Sequence, residues 1–377
     1  MKLRHRSLLV AVALAVIAGA AAAGPATASA GRSAAAPSAD PAAVATAYLQ
    51  ARAAAVTAGD PASAMTTWVA PGSRLLGRER AMARGAYLHA ARLGHIVDSV
   101  ETAVTVSDVA VTGDTATVTA HVITTQSWHT PAMQPDTEAS GVDHAVTLVR
   151  SGRGWRVSDD SYADVMVPAY LEDAGAQGDA QSAARRLEKA SQSAAPQARI
   201  RQTDVNSPGR TYSDIIYYQR DSAAAYADRY CLSYNPSYVR FSADCADFVS
   251  QSTRAGSMPV NAGTWDSGWW YQNKGTSSPS DDSYSWSWIN VAKQFGFWNG
   301  LRTDWVSSIS SLGKGDAVYY DWSGDGVWDH VAIVVGTNSA GQKVVDAHTT
   351  DYYHTFWKMG YSSTQYRFAR VRPYWVV

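Results

Sequence analysis

The first part of the chain repeats its apolar residues at helical spacing. Ala-rich segments at 41–58 and 61–69, and a third segment at 78–92, keep this period and predict three helices. Asp60 suits the N-cap of the second helix, and Pro61 suits its first turn. The chain is therefore expected to begin its folded part with a helical layer.

From residue 100 the apolar positions alternate with polar ones, which is typical of strands. The alternation predicts strands at 100–106 and 116–122, and a hairpin between 144–150 and 154–157. Helices followed by a curved antiparallel sheet predict an α+β accessory domain over 41–170. In its element order this domain resembles the cystatin-like or NTF2-like cone, a fold that either binds ligands or simply packs.

The composition changes twice in the middle of the chain. Residues 171–210 are rich in Ala, Gln, Gly and Ser, and they predict a linker with one helix near 179–191. Three of the 14 Trp precede residue 211 and the other eleven follow it. This shift predicts a second domain at 211–377.

The second domain shows helical patterns first and strand patterns after them, which indicates a second α+β fold. Helices are predicted at 221–231, 245–255 and 284–296. Strands are predicted at 315–320, 329–336, 342–348 and 366–372.

The N-terminus has the features of a secretory signal. A basic segment precedes an apolar run at 8–23, and Ala28-Ser29-Ala30 fits a cleavage site. We expect a signal peptide at 1–30 and a flexible leader at 31–40. The mature protein would be secreted, extracellular or associated with the cell wall, and would have no membrane segment.

The charge balance argues against nucleic acid as a partner. The chain has 32 Lys and Arg against 33 Asp and Glu, and no basic stripe interrupts this balance.

Cys245 has the sequence context of a nucleophile at the start of a helix. Asp244 before it is a predicted N-cap, and Asp247 stands where a capping-box acid belongs. The start of a helix stabilises a thiolate, so we expect a lowered thiol pKa and backbone N–H groups that hold an oxyanion. Asp244 is also a candidate contributor to that oxyanion site.

A thiolate nucleophile needs a base, and His330 is the candidate at the start of a β-branched run. A turn centred at 339–340 makes the numbers of paired residues sum to about 679, which brings His348 close to His330. His348 is then the candidate third member of a Cys/His/polar triad, with Asp346 and Asp351 as alternatives.

Seven short motifs occur in order through the second domain. They are YADRY at 226–230, YNPSY at 234–238, FSADCADFVSQ at 241–251, GD at 315–316, DWSGDG at 321–326, DHVAI at 329–333 and AHTTD at 347–351. Over about 211–373 they resemble an amidase domain family of the papain-like NlpC/P60 superfamily.

This resemblance implies a papain-like α+β catalytic domain that needs no metal and no organic cofactor. It assigns Cys245 as nucleophile, His330 as general base and acid, and His348 as the residue that orients His330. It also implies hydrolysis or exchange of an amide bond, often in peptides of the cell wall, so that the expected partner is a peptide or a peptidoglycan-like amide substrate.

Two alternatives stay open at this point. The same residues serve an acyltransferase or transpeptidase, in which an amine replaces water as the acceptor. Cys231 and Cys245 are the chain's only two cysteines, and a disulfide between them would instead indicate a non-catalytic wall-binding or ligand-binding protein.

Two further segments are candidate binding features. Trp265, Trp269 and Trp270 form an aromatic, Gly-containing stretch that suits one wall of a substrate cleft, although ordinary core packing explains it equally well. The segment 321–326 imitates the start of a calcium loop, but position 12 would be Ala332 instead of Glu. We therefore interpret it as a turn.

Overall fold

A computed structural model describes residues 38–58, 65–131, 134–193, 215–273, 275 and 279–377. The predicted signal peptide and most of the leader lie outside the described residues, as does the start of the helix predicted at 61–69. Of its described part, residues 65–66 are helical, 67–68 form a turn and Val69 forms a β-bridge to Val157. None of the described helices is both long and apolar enough to cross a membrane.

The N-terminal helices form where the helical period predicted them. Helix α1 spans Pro41–Ala58 and α2 spans Leu75–Arg92. The Asp40 side chain accepts a hydrogen bond from the Ala42 N–H at 2.9 Å and so caps α1, with Pro41 in the first turn. Both helices bury their apolar sides against the sheet that follows them in the chain.

Four antiparallel strands follow in a meander. They are β1 at Ile96–Thr112, β2 at Thr115–His129, β3 at Asp136–Ser151 and β4 at Gly154–Tyr162. Ser151 pairs with Gly154, as the predicted hairpin requires. The strands extend well beyond the predicted segments, because backbone pairing continues through polar residues that give no apolar signal.

The segment predicted to begin the linker is helical and packed. Helix α3 spans Val167–Asp173 and α4 spans Gln177–Ser193. The small side chains of Ala180 and Ala183 pack with Leu171 in a buried cluster. Residues 194–214 lie outside the described part of the chain.

The second half begins with a short strand and several helices. Strand β5 covers Ile215–Tyr217. The helices are α5 at Arg220–Tyr230, α6 at Cys245–Ala255, α7 at Trp286–Ile289 and α8 at Val291–Trp298. The single helix predicted at 284–296 is therefore wrong. Asn290 ends α7 in an extended conformation and caps α8, since its side chain accepts a hydrogen bond from the Lys293 N–H.

The remaining strands complete the second half. They are β6 at Tyr271–Gln272, β7 at Ser283–Tyr284, β8 at Thr303–Val306, β9 at Ala317–Asp321, β10 at His330–Thr337, β11 at Lys343–Ala347, β12 at Asp351–Phe356, β13 at Gln365–Val371 and β14 at Tyr374–Val376. Ile333 pairs with Asp346, so the register of the β10–β11 hairpin is the predicted one, with residue numbers that sum to 679.

One sheet runs through both halves, in the order β1-β2-β3-β12-β11-β10-β9-β13-β8, with β4 paired to β3. The junction is the antiparallel pairing of β12 with β3, where Tyr352 lies opposite Ser140. The chain is thus an α+β protein built on a large antiparallel sheet. No pattern had predicted β12, because its six residues mix polar and aromatic side chains.

The second half has a separate core on each face of this sheet. We call the cluster that contains Cys245, Phe248 and Val331 the helix-side core. The opposite core contains Trp322 and Ala332 among others. Neighbouring residues of a strand therefore contribute to different cores, and this alternation decides which side chains can meet at the site.

Candidate active site

Cys245 begins α6 and packs against the hairpin of β10 and β11. Its side chain belongs to the helix-side core, and the residue is 4% exposed. The Val331 N–H and the Thr349 hydroxyl both hydrogen-bond the sulfur. Both cysteines are free thiols, so the structure contains no disulfide between Cys231 and Cys245.

Burial decides the acidity of the Cys245 thiol. Burial raises its pKa to about 11, and the nearby Asp244 carboxyl also raises it. The hydrogen bonds from Val331 and Thr349 lower the pKa but do not compensate for the lost hydration. The expected lowering of the thiol pKa is therefore wrong, because burial outweighs the helix start.

Asp244 does not cap α6 with its side chain, which corrects the predicted capping box. Its Oδ1 accepts a hydrogen bond from the Phe241 N–H at 3.0 Å, and its Oδ2 lies 2.8 Å from Nδ1 of His348. Asp247 instead accepts hydrogen bonds from Trp288 Nε1 and from the Gln251 side chain. Both carboxyls serve tertiary contacts that the sequence could not reveal.

His348 lies beside the start of α6 and is held on both ring nitrogens. Nδ1 contacts Asp244, Nε2 lies 2.9 Å from the carbonyl oxygen of Tyr230, and the ring stacks on Phe248 at 4.0 Å. Burial lowers the pKa of His348 and raises the pKa of Asp244 to about 8. A neutral pair follows, in which the Asp244 carboxyl donates to Nδ1 and Nε2–H donates to the carbonyl.

Thr349 links the two elements of the site through an unusual backbone conformation. Its hydroxyl accepts a hydrogen bond from the Asp244 N–H at 3.0 Å and also contacts the Cys245 sulfur. Its φ of 88° lies in the left-handed region, which is costly for a β-branched residue. The surrounding contacts maintain this strain at the position that follows His348.

His330 is placed on the other face of the sheet. Val331 faces Cys245 in the helix-side core, so strand alternation turns His330 toward the opposite core. There its ring lies 5.4 Å from Trp322 and 5.5 Å from Tyr320. Nε2 has no hydrogen-bond partner among the described residues, and burial lowers the pKa to about 3. The structure therefore does not bring His330 and Cys245 together as the predicted pair.

The two other candidate acids lie near His348 but contact different groups. Asp351 accepts a hydrogen bond from the Tyr234 hydroxyl at 3.1 Å, and burial raises its pKa to about 6. Asp346 accepts the His354 N–H at 2.7 Å, and burial raises its pKa to about 8. The carboxyl that actually pairs with His348 is Asp244. Its position directly before Cys245 was the only signal of this role in the sequence.

The aromatic stretch proposed as a cleft wall is mainly core. Trp269 is fully buried against Trp288, at a centroid distance of 4.7 Å, and donates its Nε1–H to Ser250. Trp270 is also buried, and only Trp265 is partly exposed. The cleft-wall prediction is therefore wrong for Trp269 and Trp270. Trp269 packs between Trp288 and Trp298, and the buried Trp270 indole donates its Nε1–H to the Thr264 carbonyl at 3.4 Å.

The calcium-like segment is a turn held by its own first residue. The carboxyl of Asp321 accepts the N–H groups of Gly324, Asp325 and Gly326 at 2.7 to 3.1 Å. These hydrogen bonds occupy the oxygens that a cation would require, which agrees with the interpretation of a turn.

A separate cavity of about 150 Å³ lies in the N-terminal half. Arg52 and Glu79 form an ion pair in its wall, with N and O 2.7 Å apart. Burial raises the pKa of Glu138, another wall residue, to about 7. Tyr352 of β12 also lines the cavity, so the second half of the chain contributes to it.

Comparison with known proteins gives a family match for the second half. Residues 217–371 match the family described as "Putative amidase domain". Uncharacterized protein YhbB of Bacillus subtilis (strain 168) is 35% identical over 152 residues, which are 39% of this chain and 46% of that protein. Uncharacterized protein YjcM of the same organism is 29% identical over 154 residues, 37% of this chain and 33% of that protein.

This chain thus spans less than half the length of both relatives. Among solved structures, the intermembrane space region of chloroplast protein ARC6 is 16% identical and aligns over 32% of this chain and 90% of that one, with a TM-score of 0.23. The similarity to the amidase domain therefore lies at 217–371, where the Cys245 site is also found.

Proposed function

We propose that the chain is a secreted cysteine amidohydrolase that cleaves amide bonds in peptides of the cell wall. Two findings support a reaction at amide bonds: the match of residues 217–371 to an amidase domain and the position of Cys245 at the start of α6. The secretory pattern at 1–30 supports an extracellular substrate.

The observation that carries the proposal is the chain of contacts from Cys245 to His348. Asp244 precedes the nucleophile, and its carboxyl lies 2.8 Å from the His348 ring. Thr349 hydrogen-bonds both the Asp244 N–H and the sulfur. A buried thiol, a carboxyl and an imidazole are thus adjacent, which are the parts that covalent acyl transfer requires.

In the proposed first step the thiol proton moves to the Asp244 carboxyl as that carboxyl passes its own proton to Nδ1 of His348. The thiolate then attacks the amide carbonyl, and backbone N–H groups at the start of α6 hold the oxyanion. The imidazolium returns the proton to the leaving amine through Asp244, and a sulfur–acyl bond replaces the amide bond. Water hydrolyses this thioester by the same proton path.

The resemblance assigned the base to His330, whereas the geometry favours His348. In this proposal His330 has no catalytic role and is a buried aromatic residue of the opposite core, packed near Trp322. Changing His348 to glutamine should therefore impair catalysis directly, whereas changing His330 to glutamine should not remove the base.

The test is an amidase assay on peptidoglycan stem peptides with four forms of the chain from Gly31: wild type, Cys245→Ala, His348→Gln and His330→Gln. We expect the wild type to release new amino groups. Cys245→Ala should abolish this release, and His348→Gln should reduce kcat by about a hundredfold or more. No cleavage of any stem peptide by a folded wild type would refute the proposed substrate.

Loss of activity in His330→Gln, with normal activity in His348→Gln, would instead return the base to His330 and leave Cys245 as nucleophile. An added amine acceptor distinguishes hydrolysis from acyl transfer. Hydrolysis predicts a free carboxyl product with and without the amine, whereas a new amide would identify an acyltransferase.

A further inference from the structure

A second group of metal-ligating side chains lies near His348 in the sequence and at the end of α5. Asp228, Asp346 and His354 each offer a ligand atom within 4.8 Å of the others. Nε2 of His354 lies 2.9 Å from Oδ1 of Asp228, while the backbone N–H of His354 donates to Oδ1 of Asp346. Three different elements, α5, β11 and β12, supply the three residues.

One oxygen of this group has no hydrogen bond of normal geometry, although the buried Cys231 thiol interacts with the same carboxyl. Asp346 is fully buried, and its Oδ2 has no hydrogen-bond partner among the described residues. A buried carboxyl oxygen without such a bond costs free energy, and a bound cation would satisfy it by displacing the proton. The other two side chains are partly exposed, at 43% for Asp228 and 30% for His354, so an ion can reach the group from solvent.

We infer that Asp228, Asp346 and His354 bind one divalent transition-metal ion of the Zn²⁺ class, with solvent as a further ligand. An imidazole nitrogen with carboxylate oxygens suits Zn²⁺, whereas Ca²⁺ and Mg²⁺ prefer ligand sets made only of oxygen. Bond lengths near 2.0 Å would place tetrahedral ligand atoms about 3.3 Å apart, which small movements of the two exposed side chains achieve.

The site lies next to the groups that hold His348. Asp346 is two residues before His348, and Asp228 is two residues before Tyr230, whose carbonyl contacts the His348 ring. A bound ion would therefore tie the end of α5 to β11 and β12 around this ring. The inference does not depend on the proposed amidase activity, because binding is measured without a substrate.

The test is titration of the Cys245→Ala chain with Zn²⁺ by calorimetry, in which the active-site thiol is absent. We expect one Zn²⁺ per chain and a higher Tm when the ion is bound. His354→Gln and Asp228→Asn should each weaken binding by about tenfold or more. Cobalt(II) should give the intense visible absorption of a tetrahedral complex in the parent chain and not in these variants.

The matched control is His129→Gln. His129 and Asp98 form another partly exposed pair, 2.9 Å apart and 34% and 39% exposed, that belongs to no group of three ligands among the described residues. This variant should bind Zn²⁺ like its parent. Equal binding by the His354→Gln variant, no binding by the parent, or Ca²⁺ binding as tight as Zn²⁺ would each overturn the inference.

Discussion

The carboxyl of Asp244 and the ring of His348 form a buried contact of 2.8 Å across a sequence separation of 104 residues. This contact places a proton-exchanging pair beside Cys245 and connects the start of α6 to the end of β11. Because burial favours the neutral form of each partner, one proton is shared between Oδ2 and Nδ1 at neutral pH.

Replacing Asp244 by Asn should remove the proton path and keep the shape of the site. We expect Asp244→Asn to lower kcat by about a hundredfold or more, since an amide cannot pass a proton to His348. Asp247→Asn is the matched control, because this buried acid of the same helix contacts Trp288 and Gln251 instead. Rates measured on one stem peptide decide the matter, and equal losses in both variants would contradict a specific role for Asp244.

The Cys245 thiol should react slowly with iodoacetamide at neutral pH and faster at each higher pH. With a pKa of about 11, the thiolate fraction grows about tenfold per pH unit up to about pH 10. Peptide mass spectrometry separates this label from any label on Cys231, and Cys245→Ala controls for background. A rate that reaches its plateau below pH 8 would show that the helix start outweighs burial.

The neutral ring of His330 should make the fold sensitive to acid. Its pKa of about 3 lies below the value near 6.5 of an unfolded histidine, so the unfolded chain binds the proton first as the pH falls. The stability from this group is therefore complete above pH 6.5 and is lost progressively toward pH 3. Between pH 7 and pH 5 the loss amounts to about 2 kcal/mol.

Urea unfolding of the wild type and of His330→Leu at both pH values isolates this contribution. The buried acids Asp244 and Asp346 have raised pKa values and act in the opposite direction, but they are common to both proteins. We expect the wild type to lose about 2 kcal/mol more unfolding free energy than His330→Leu between pH 7 and pH 5. Equal losses in the two proteins would mean that His330 is not buried as a neutral ring.

Two glycines of α2 should respond oppositely to alanine. A Cβ at Gly85 would lie 1.7 Å from the backbone oxygen of Tyr170, so Gly85→Ala must push α3 away. A Cβ at Gly77 would meet nothing within 4 Å. We expect a loss of about 3 kcal/mol for Gly85→Ala and a gain of about 0.5 kcal/mol for Gly77→Ala, both measured by urea unfolding. Equal effects would contradict the close approach of α2 and α3.

Local sequence patterns were sufficient to predict several helix and strand positions. The start of α6 at Cys245, the span of α1 and the register that pairs Ile333 with Asp346 all followed from helical period, turn residues and strand spacing. The choice of Cys245 as the candidate nucleophile rests on the same local evidence. Strand β12 gave no such local signal, and its place in the sheet depends on pairing with β3, about two hundred residues away.

The tertiary structure alone decided which side chains meet at Cys245. Residues 330–335 are buried on both faces of the sheet, so this apolar run carries no alternation from which the direction of His330 could be inferred. The packing of α6 on one face turns His330 away and brings His348 to Asp244. The same packing removes water from the thiol, and this desolvation raises the pKa that the helix start alone would have lowered.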